Sequence, residues 1–342
     1  MTDADEAEAI ARFVLPQYGI PAEAPLRLLS VSENATYATS STGSTSSPRS
    51  TGSSTDGGVV LRVCRPGYHS RTSLESELAW IEAVRADGVL ATPAVLTTRA
   101  GQRVATARPP RGGRGPDRHV IAFERVDGAE PGEGDLRPLF AELGGLAARL
   151  HEHARRWRRP PWFTRLRWDV HGAIGEYGHW GRWQDGVGVG PAEREALGRA
   201  ADVVASRLRA YGDGPDRFGL VHADMRLANL LVDPVRARTN VIDFDDCGFG
   251  WFGYDLAASL SFIEQDPAVP ELMAAWASGY RAVAPLPGED EAELPTFVML
   301  RRLLLVAWIG SHADTDLARE LGAGFTATSC DLAEAYLTEP PS

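Results

Sequence analysis

The stretch 220–246, LVHADMRLANLLVDPVRARTNVIDFDD, limits what the rest of the chain can be. Polar clusters alternate in it with short apolar runs. His222, Asp224, Arg226 and Asn229 follow Leu220 and Val221. The run Leu230–Val232 comes next, and the run Val241–Ile242 ends in Asp243, Phe244, Asp245 and Asp246. Short β-branched runs bounded by turn residues are strand signals. Asp224, Asn229 and Asp243 are therefore expected at the ends of, or between, adjacent short strands. That placement can gather three oxygen ligands around one point.

Phosphoryl transfer needs such a set. A carboxylate orients the attacking hydroxyl and takes its proton, while an amide and a second carboxylate hold Mg2+ on the nucleotide phosphates. H-x-D-x-x-x-x-N, then an apolar strand, then D-F-D, has the spacing of a kinase catalytic loop and its metal-binding aspartate. The last position reads Asp where protein kinases have Gly. A lone H-x-D can be a cap or a turn. Two motifs in register, with strands between them, are hard to obtain by chance.

At these residues the chain resembles the superfamily of aminoglycoside phosphotransferases, choline kinases and homoserine kinases, often called the phosphotransferase enzyme family. Its loop commonly reads H-x-D-x-x-x-x-N and its second motif I-D-[FW]-[DE]-[DE]. The resemblance implies an α+β, protein-kinase-like two-lobed fold. A small N-terminal lobe, 1–126, would carry an antiparallel sheet and one key helix, and a larger, mostly helical C-terminal lobe, 127–342, would carry the catalytic groups. It further implies Asp224 as the base, His222 as the residue that braces the loop, and Asn229 and Asp243 as the metal ligands. ATP and Mg2+ would sit between the lobes, and the acceptor would be a hydroxyl of a small molecule.

The resemblance extends upstream. Ser32-Glu33-Asn34-Ala35-Thr36-Tyr37 stands where protein kinases have a glycine-rich loop, so Ser32, Asn34 and Thr36 are expected near the phosphates. Arg62, in VVLRVC, stands where kinases place the phosphate-binding lysine; Arg keeps the charge but offers a planar fork. Glu77 matches the helix glutamate that pairs with that residue, with Glu75 as its rival. Phe123 to Val126 would form the lobe hinge, with Glu124 and Val126 meeting the adenine through their backbone. Asp255 matches an aspartate that ties the catalytic loop down, and also fits a helix cap. Asp245 and Asp246 either face the acceptor, where carboxylates suit an amine, or remain hydrogen-bonded at the loop. Within the family, D-F-D-D-C-G-F-G-W-F-G-Y-D-L resembles the homoserine-kinase-like and stress-kinase-like branches more than the resistance enzymes. Two alternatives stay open: a protein Ser/Thr kinase of the bacterial stress-response type, and a non-catalytic nucleotide-binding protein on the same fold.

Composition narrows the classes. All 35 basic residues are Arg, so a Walker A loop, which requires Lys, is excluded. A net charge of −11 argues against nucleic acid as partner, despite the Arg-rich loop 109–118. Cys64, Cys247 and Cys330 are widely spaced and form no C-x-x-C, which suits a reducing, cytoplasmic setting. The opening MTDADEAEAI is acidic and unlike a signal peptide. Phe297–Ile309 is apolar but contains Arg301 and Arg302, too short and too charged to cross a bilayer.

Periodicity predicts helices over 3–15, 71–86, 136–157, 191–211, 254–263, 271–280 and 294–336. The Ser/Thr/Gly tract 39–58 has nothing to bury and reads as a flexible insertion. His151 and His153 lie on different sides of their helix, so His151 is expected to pack or cap. The Trp-rich segment 160–190 either shapes the acceptor pocket or is an aromatic core loop.

Overall fold

In the computed structural model, small and branched side chains at 35–39 and 59–63 zip into the middle of a sheet. The structure describes residues 3–31, 34–39, 58–108, 117–132, 134–236 and 238–338. The described chain divides into two compact units: 1–129 with 159–164 and 231–242, and 130–158 with 165–230 and 243–342. Ser32 and most of the tract 39–58 and the loop 109–118 lie outside the described residues.

In the first unit, β1 (Leu26–Val31), β2 (Ala35–Thr39), β3 (Val59–Val63), β4 (Val95–Leu96), β5 (Val104–Ala107) and β6 (Arg118–Glu124) form one antiparallel sheet. The order is β1-β2-β3-β6-β4, with β5 also on β6. Helix α1 (Asp3–Val14) buries Ala7, Ile10, Ala11 and Val14 in one core with Tyr37, Leu61, Val63, Val120 and Ala122. Their spacing of three and four is the apolar stripe that the sequence shows. Helix α2 (Arg71–Ala86) has the predicted span and starts at Ser70, whose hydroxyl accepts from the Ser73 N–H at 3.1 Å. It buries Leu74, Leu78, Ile81 and Val84, and with them Glu77. Strand β6 ends at Glu124, so Val126 lies just beyond it.

In the second unit, α3 (Arg137–Arg156), β7 (Leu166–Trp168), α4 (Val170–Ile174), α5 (Pro191–Tyr211) and β8 (Phe218–Val221) come first. The strands β9 (Leu230–Asp233) and β10 (Arg238–Val241) then form the hairpin that groups with the first unit. The chain returns through β11 (Gly248–Trp251), α6 (Tyr254–Ser259), α7 (Val269–Arg281), α8 (Gly288–Ala292), α9 (Leu294–Ser311) and α10 (Asp316–Thr338). A small sheet, β7-β11-β8, carries the start of the stretch 220–246; β11 runs parallel to β7 and antiparallel to β8.

Helices α3 and α7 touch through glycines. A Cβ on Gly144 would lie 1.9 Å from the Trp276 carbonyl oxygen, and one on Gly279 would lie 1.8 Å from that of Ala141. The predicted helix 294–336 is two helices, broken after Ser311, and Gly322 inside the second has φ +49°. The predicted helix 254–263 stops at Ser259.

The region Gly288–Ser311, which contains the apolar run 297–309, is long and apolar enough to cross a membrane by length and composition alone. In the fold, 78% of its most apolar window is buried.

Candidate active site

Strand β8 delivers His222 and Asp224 to the edge of the small sheet. Between them Ala223 has φ +66°, a conformation that costs an L-residue and persists only when its surroundings hold it. Asp255 supplies much of that hold. Its Oδ1 accepts the Ala223 N–H at 2.8 Å, and its Oδ2 accepts the His222 N–H at 3.1 Å. Asp255 stands in the first turn of α6 but does not cap it; the carboxylate ties down the loop. A third donor is His151 of α3, whose Nε2 lies 2.9 Å from Asp255 Oδ2. A carboxylate only accepts, so Nε2 carries the proton and Nδ1 accepts from the Tyr280 hydroxyl at 3.1 Å. Burial pushes the His151 pKa down despite the neighbouring carboxylate, which keeps the ring neutral.

His222 is buried. Its Nδ1 accepts the Asp224 N–H at 3.3 Å, and its ring packs on Phe244 with centroids 4.4 Å apart. That ring contact brings the D-F-D segment beside the H-x-D loop.

Asp224 is 9% exposed and heavily solicited. Arg301 Nη2 donates to its Oδ1 at 2.6 Å. Asn229 Nδ2 donates to its Oδ2 at 2.7 Å, and Arg226 Nε reaches the same oxygen at 3.3 Å. Burial would raise its pKa, but the charges of Arg226 and Arg301, His222 and the Arg301 hydrogen bond together hold it below the ordinary carboxylate value. Arg301 answers in kind: burial would lower its pKa, yet Tyr254 and Asp224 hold it above the usual arginine range.

The structure thus brings Asn229 onto Asp224. Asn229 ends a single turn of 3-10 helix, Leu227–Asn229, and also donates to the Asp224 carbonyl at 2.8 Å. Because both bonds need N–H donors, the amide orientation is fixed, and Oδ1 is the atom left for a cation. Asp243 is exposed and has φ +61°, a left-handed conformation that Asp tolerates better than most residues. An amide oxygen and an accessible carboxylate are hard donors, the kind Mg2+ takes.

Beyond Asp243 the backbone is pinned from below. Arg165 donates to the carbonyls of Asp245 and, at 2.6 Å, Cys247, and the Trp168 indole donates to that of Asp246 at 2.7 Å. Asp245 is buried, while Asp246 is half-buried and close enough for its charge to act on Arg301 and Tyr254.

In the first unit, Arg62 and Glu77 form a buried pair at 2.8 Å, with 5% and 0% exposure. Glu75 pairs instead with Arg103 at 2.8 Å. Thr36 stands directly across from Arg62 in the β2–β3 register and so shares its face. Asn34 Oδ1 accepts the Arg65 N–H at 2.9 Å and closes the open end of that hairpin. Glu124 is the last residue of β6, half-buried, 3.9 Å from Arg85, and Val126 follows it half-buried.

Sequence reasoning missed Arg301 as a site residue and treated it only as a charge interrupting an apolar run. The signal was there: a guanidinium inside a core helix must find a carboxylate, since an unpaired buried charge is prohibitive. It also left His151 as a packing or capping residue.

A model of the phosphotransferase enzyme family matches residues 43–286. The chain belongs to that family. The structure is similar to that of a microcompartment-associated aminopropanol kinase, with 46% identity, a TM-score of 0.85 and coverage of 96% of this chain and 97% of that one. The sequence is 25% identical over 282 residues to the amicoumacin kinase of Bacillus subtilis (strain 168), spanning 78% of this chain and 79% of the relative. An amicoumacin kinase solved with AMP-PNP, Ca2+ and Ami shares the fold, with a TM-score of 0.75 at 22% identity over 100% and 97% of the two chains. The protein is a small-molecule kinase, an ATP-binding phosphotransferase with an alcohol group as acceptor, on a protein-kinase-like α+β fold.

Proposed function

We propose that the protein transfers the γ-phosphate of ATP, with Mg2+, to the hydroxyl of a small amino alcohol of the aminopropanol kind. The observation that carries this reading is the Asp224–Asn229 pair, an ionised carboxylate held against an amide whose oxygen is left for a cation. Asp224 orients the acceptor hydroxyl and takes its proton as the oxygen attacks phosphorus. Asn229 Oδ1 and Asp243 would hold the Mg2+, which when bound neutralises charge on the phosphates. In the first unit, Arg62, fixed by Glu77, takes a phosphate role, with Asn34 and Thr36 at the same hairpin and the backbone at Glu124 and Val126 for the adenine; Ser32 is assigned to the phosphates by its place in the sequence alone.

The acceptor class is supported by the 46% identity to the aminopropanol kinase along 96% of the chain. Asp246, with its partly accessible carboxylate, suits the acceptor ammonium; the burial of Asp245 leaves it a lesser part.

The test is a transfer assay with ATP and Mg2+ across 1-amino-2-propanol, ethanolamine, choline, homoserine, an aminoglycoside and a protein acceptor. Phosphorylation of 1-amino-2-propanol in preference to the others is expected. Labelling of the protein acceptor alone would establish the stress-kinase alternative, and ATP binding without transfer would establish the non-catalytic one. Asp224→Asn should lower kcat by about 10²- to 10⁴-fold, the usual size of general-base catalysis, while ATP binding remains. Full activity of that variant removes Asp224 as the base.

A further inference from the structure

Helix α9 carries two adjacent arginines, Arg301 and Arg302, exposed to 1% and 0%. A guanidinium at such depth stays charged and must have acceptors around its fork. Arg302 finds them away from the site: Glu264 Oε2, Ser329 Oγ and Thr328 Oγ1, each at 2.7 Å, and the Phe325 carbonyl at 3.1 Å.

Arg301 points the other way. Its Nε donates to Ser261 Oγ at 2.9 Å, and its Nη1 donates to the Ala223 carbonyl at 3.1 Å and the Tyr254 hydroxyl at 3.2 Å. Its Nη2 donates to Asp224 Oδ1 at 2.6 Å, and its carbon lies 4.9 Å from the Trp180 ring centroid.

We infer that Arg301 is a positioning residue for the phosphoryl transfer: it locks the plane of the Asp224 carboxylate and the strained peptide in front of it. The inference rests on the reading of Asp224 as base. A carboxylate held at one oxygen can still swing about that bond. Asn229 holds Oδ2 and Arg301 holds Oδ1, so together they leave one orientation. The guanidinium is itself immobile, because Ser261, Tyr254 and Trp180 confine it on three sides. With Nη1 on the Ala223 carbonyl and Asp255 on the Ala223 N–H, the left-handed residue before Asp224 is gripped from both ends. The demand of a buried charge for an acceptor does not by itself select the catalytic aspartate. Arg302, one residue away, satisfies the same demand with a glutamate outside the site.

The test compares Arg301→Lys and Arg301→Gln with Arg302→Lys in the full-length protein. Turnover is measured with ATP and 1-amino-2-propanol and, independently of the acceptor, as slow transfer from ATP to water; folding is checked by circular dichroism melting. Arg301→Lys is expected to leave the ATP KM within about threefold and to lower kcat about 100-fold, the scale of a misplaced reacting group. Arg302→Lys lowers the melting temperature and leaves kcat within about threefold. In an Asp224→Asn background Arg301→Lys should cost no further turnover, because the group it positions is gone; a general loss of packing would multiply with the first.

Folded Arg301 variants with near-normal kcat, or an Arg301→Lys loss undiminished by Asp224→Asn, overturn the inference. If neither Arg301 variant folds, Ser261→Ala takes their place, since it frees Nε and removes one oxygen. A several-fold fall in kcat at constant ATP KM then supports the inference, and an unchanged kcat overturns it. Wild-type protein inactive toward both acceptors, or a fully active Asp224→Asn, defeats the underlying assignment of the base instead. An inactive Asp224→Asn beside an active Arg301→Lys defeats only the positioning role.

Discussion

Asp255 receives the His222 and Ala223 amides and the His151 ring on its two oxygens, so the H-x-D loop is fastened to two helices, α6 and α3, through one side chain. The ring that completes this set is neutral, and that has a pH consequence. The folded-state pKa of His151 lies below the ordinary 6.5, so below 6.5 the unfolded chain binds a proton that the folded chain refuses. Stability is full above 6.5 and declines as pH falls toward the depressed folded-state value. His119 and His179, also shifted down by burial, act in the same direction. In urea titrations between pH 6.5 and 5, His151→Gln should flatten the slope by one proton, about 1.4 kcal/mol per pH unit. An unchanged slope would mean that the ring is already protonated in the fold. The tie made by Asp255 was legible from its motif. The identity of its third donor was not, because His151 and Asp255 are 104 residues apart and helical spacing says only which side of a helix a residue occupies.

At the scale of elements, the α3–α7 contact has no room for a methyl group. Alanine is the better helix former by about 0.8–1.0 kcal/mol, yet its Cβ at 279 would collide with a backbone carbonyl that cannot rotate away. Gly279→Ala is therefore expected to destabilise by about 1–3 kcal/mol, the usual cost of overpacking. It should also lower kcat, since Tyr280 is the next residue and orients His151 on the facing helix. A denaturation midpoint equal to that of wild type would show that the two helices can separate freely. Apolar periodicity gave α2, α3 and α5 nearly to the residue, because each has a continuous stripe and clear ends. It ran α9 and α10 together, because the apolar pattern continues across the break after Ser311 and the turn is set by tertiary packing. It also could not show that β9 and β10, embedded in the stretch 220–246, belong with the first unit.

For the whole molecule, anything that binds only the folded state adds RT ln(1 + [L]/Kd), about 2.7 kcal/mol at one hundred times Kd. AMP-PNP with Mg2+ should raise the melting temperature accordingly. Asp224→Asn should retain the shift, and Asp243→Asn should lose the part that depends on the metal. An equal shift in EDTA would remove Asp243 from metal binding. Family and fold class were legible because phosphoryl transfer fixes residue types at fixed spacings, and H-x-D-x-x-x-x-N with D-F-D survives as text. Arg301 was not, because its helix begins sixty-five residues after Asn229 and only folding returns it to the loop.

The arginine at position 62 carries a practical corollary. With arginine there and at every other basic position, the polypeptide offers no ε-amine at all. Reactive nucleotide analogues that tag kinases by acylating or sulfonylating a lysine beside the phosphates would find no side-chain nucleophile of that type. An enzyme of this composition would pass silently through a lysine-directed activity screen while turning over its substrate.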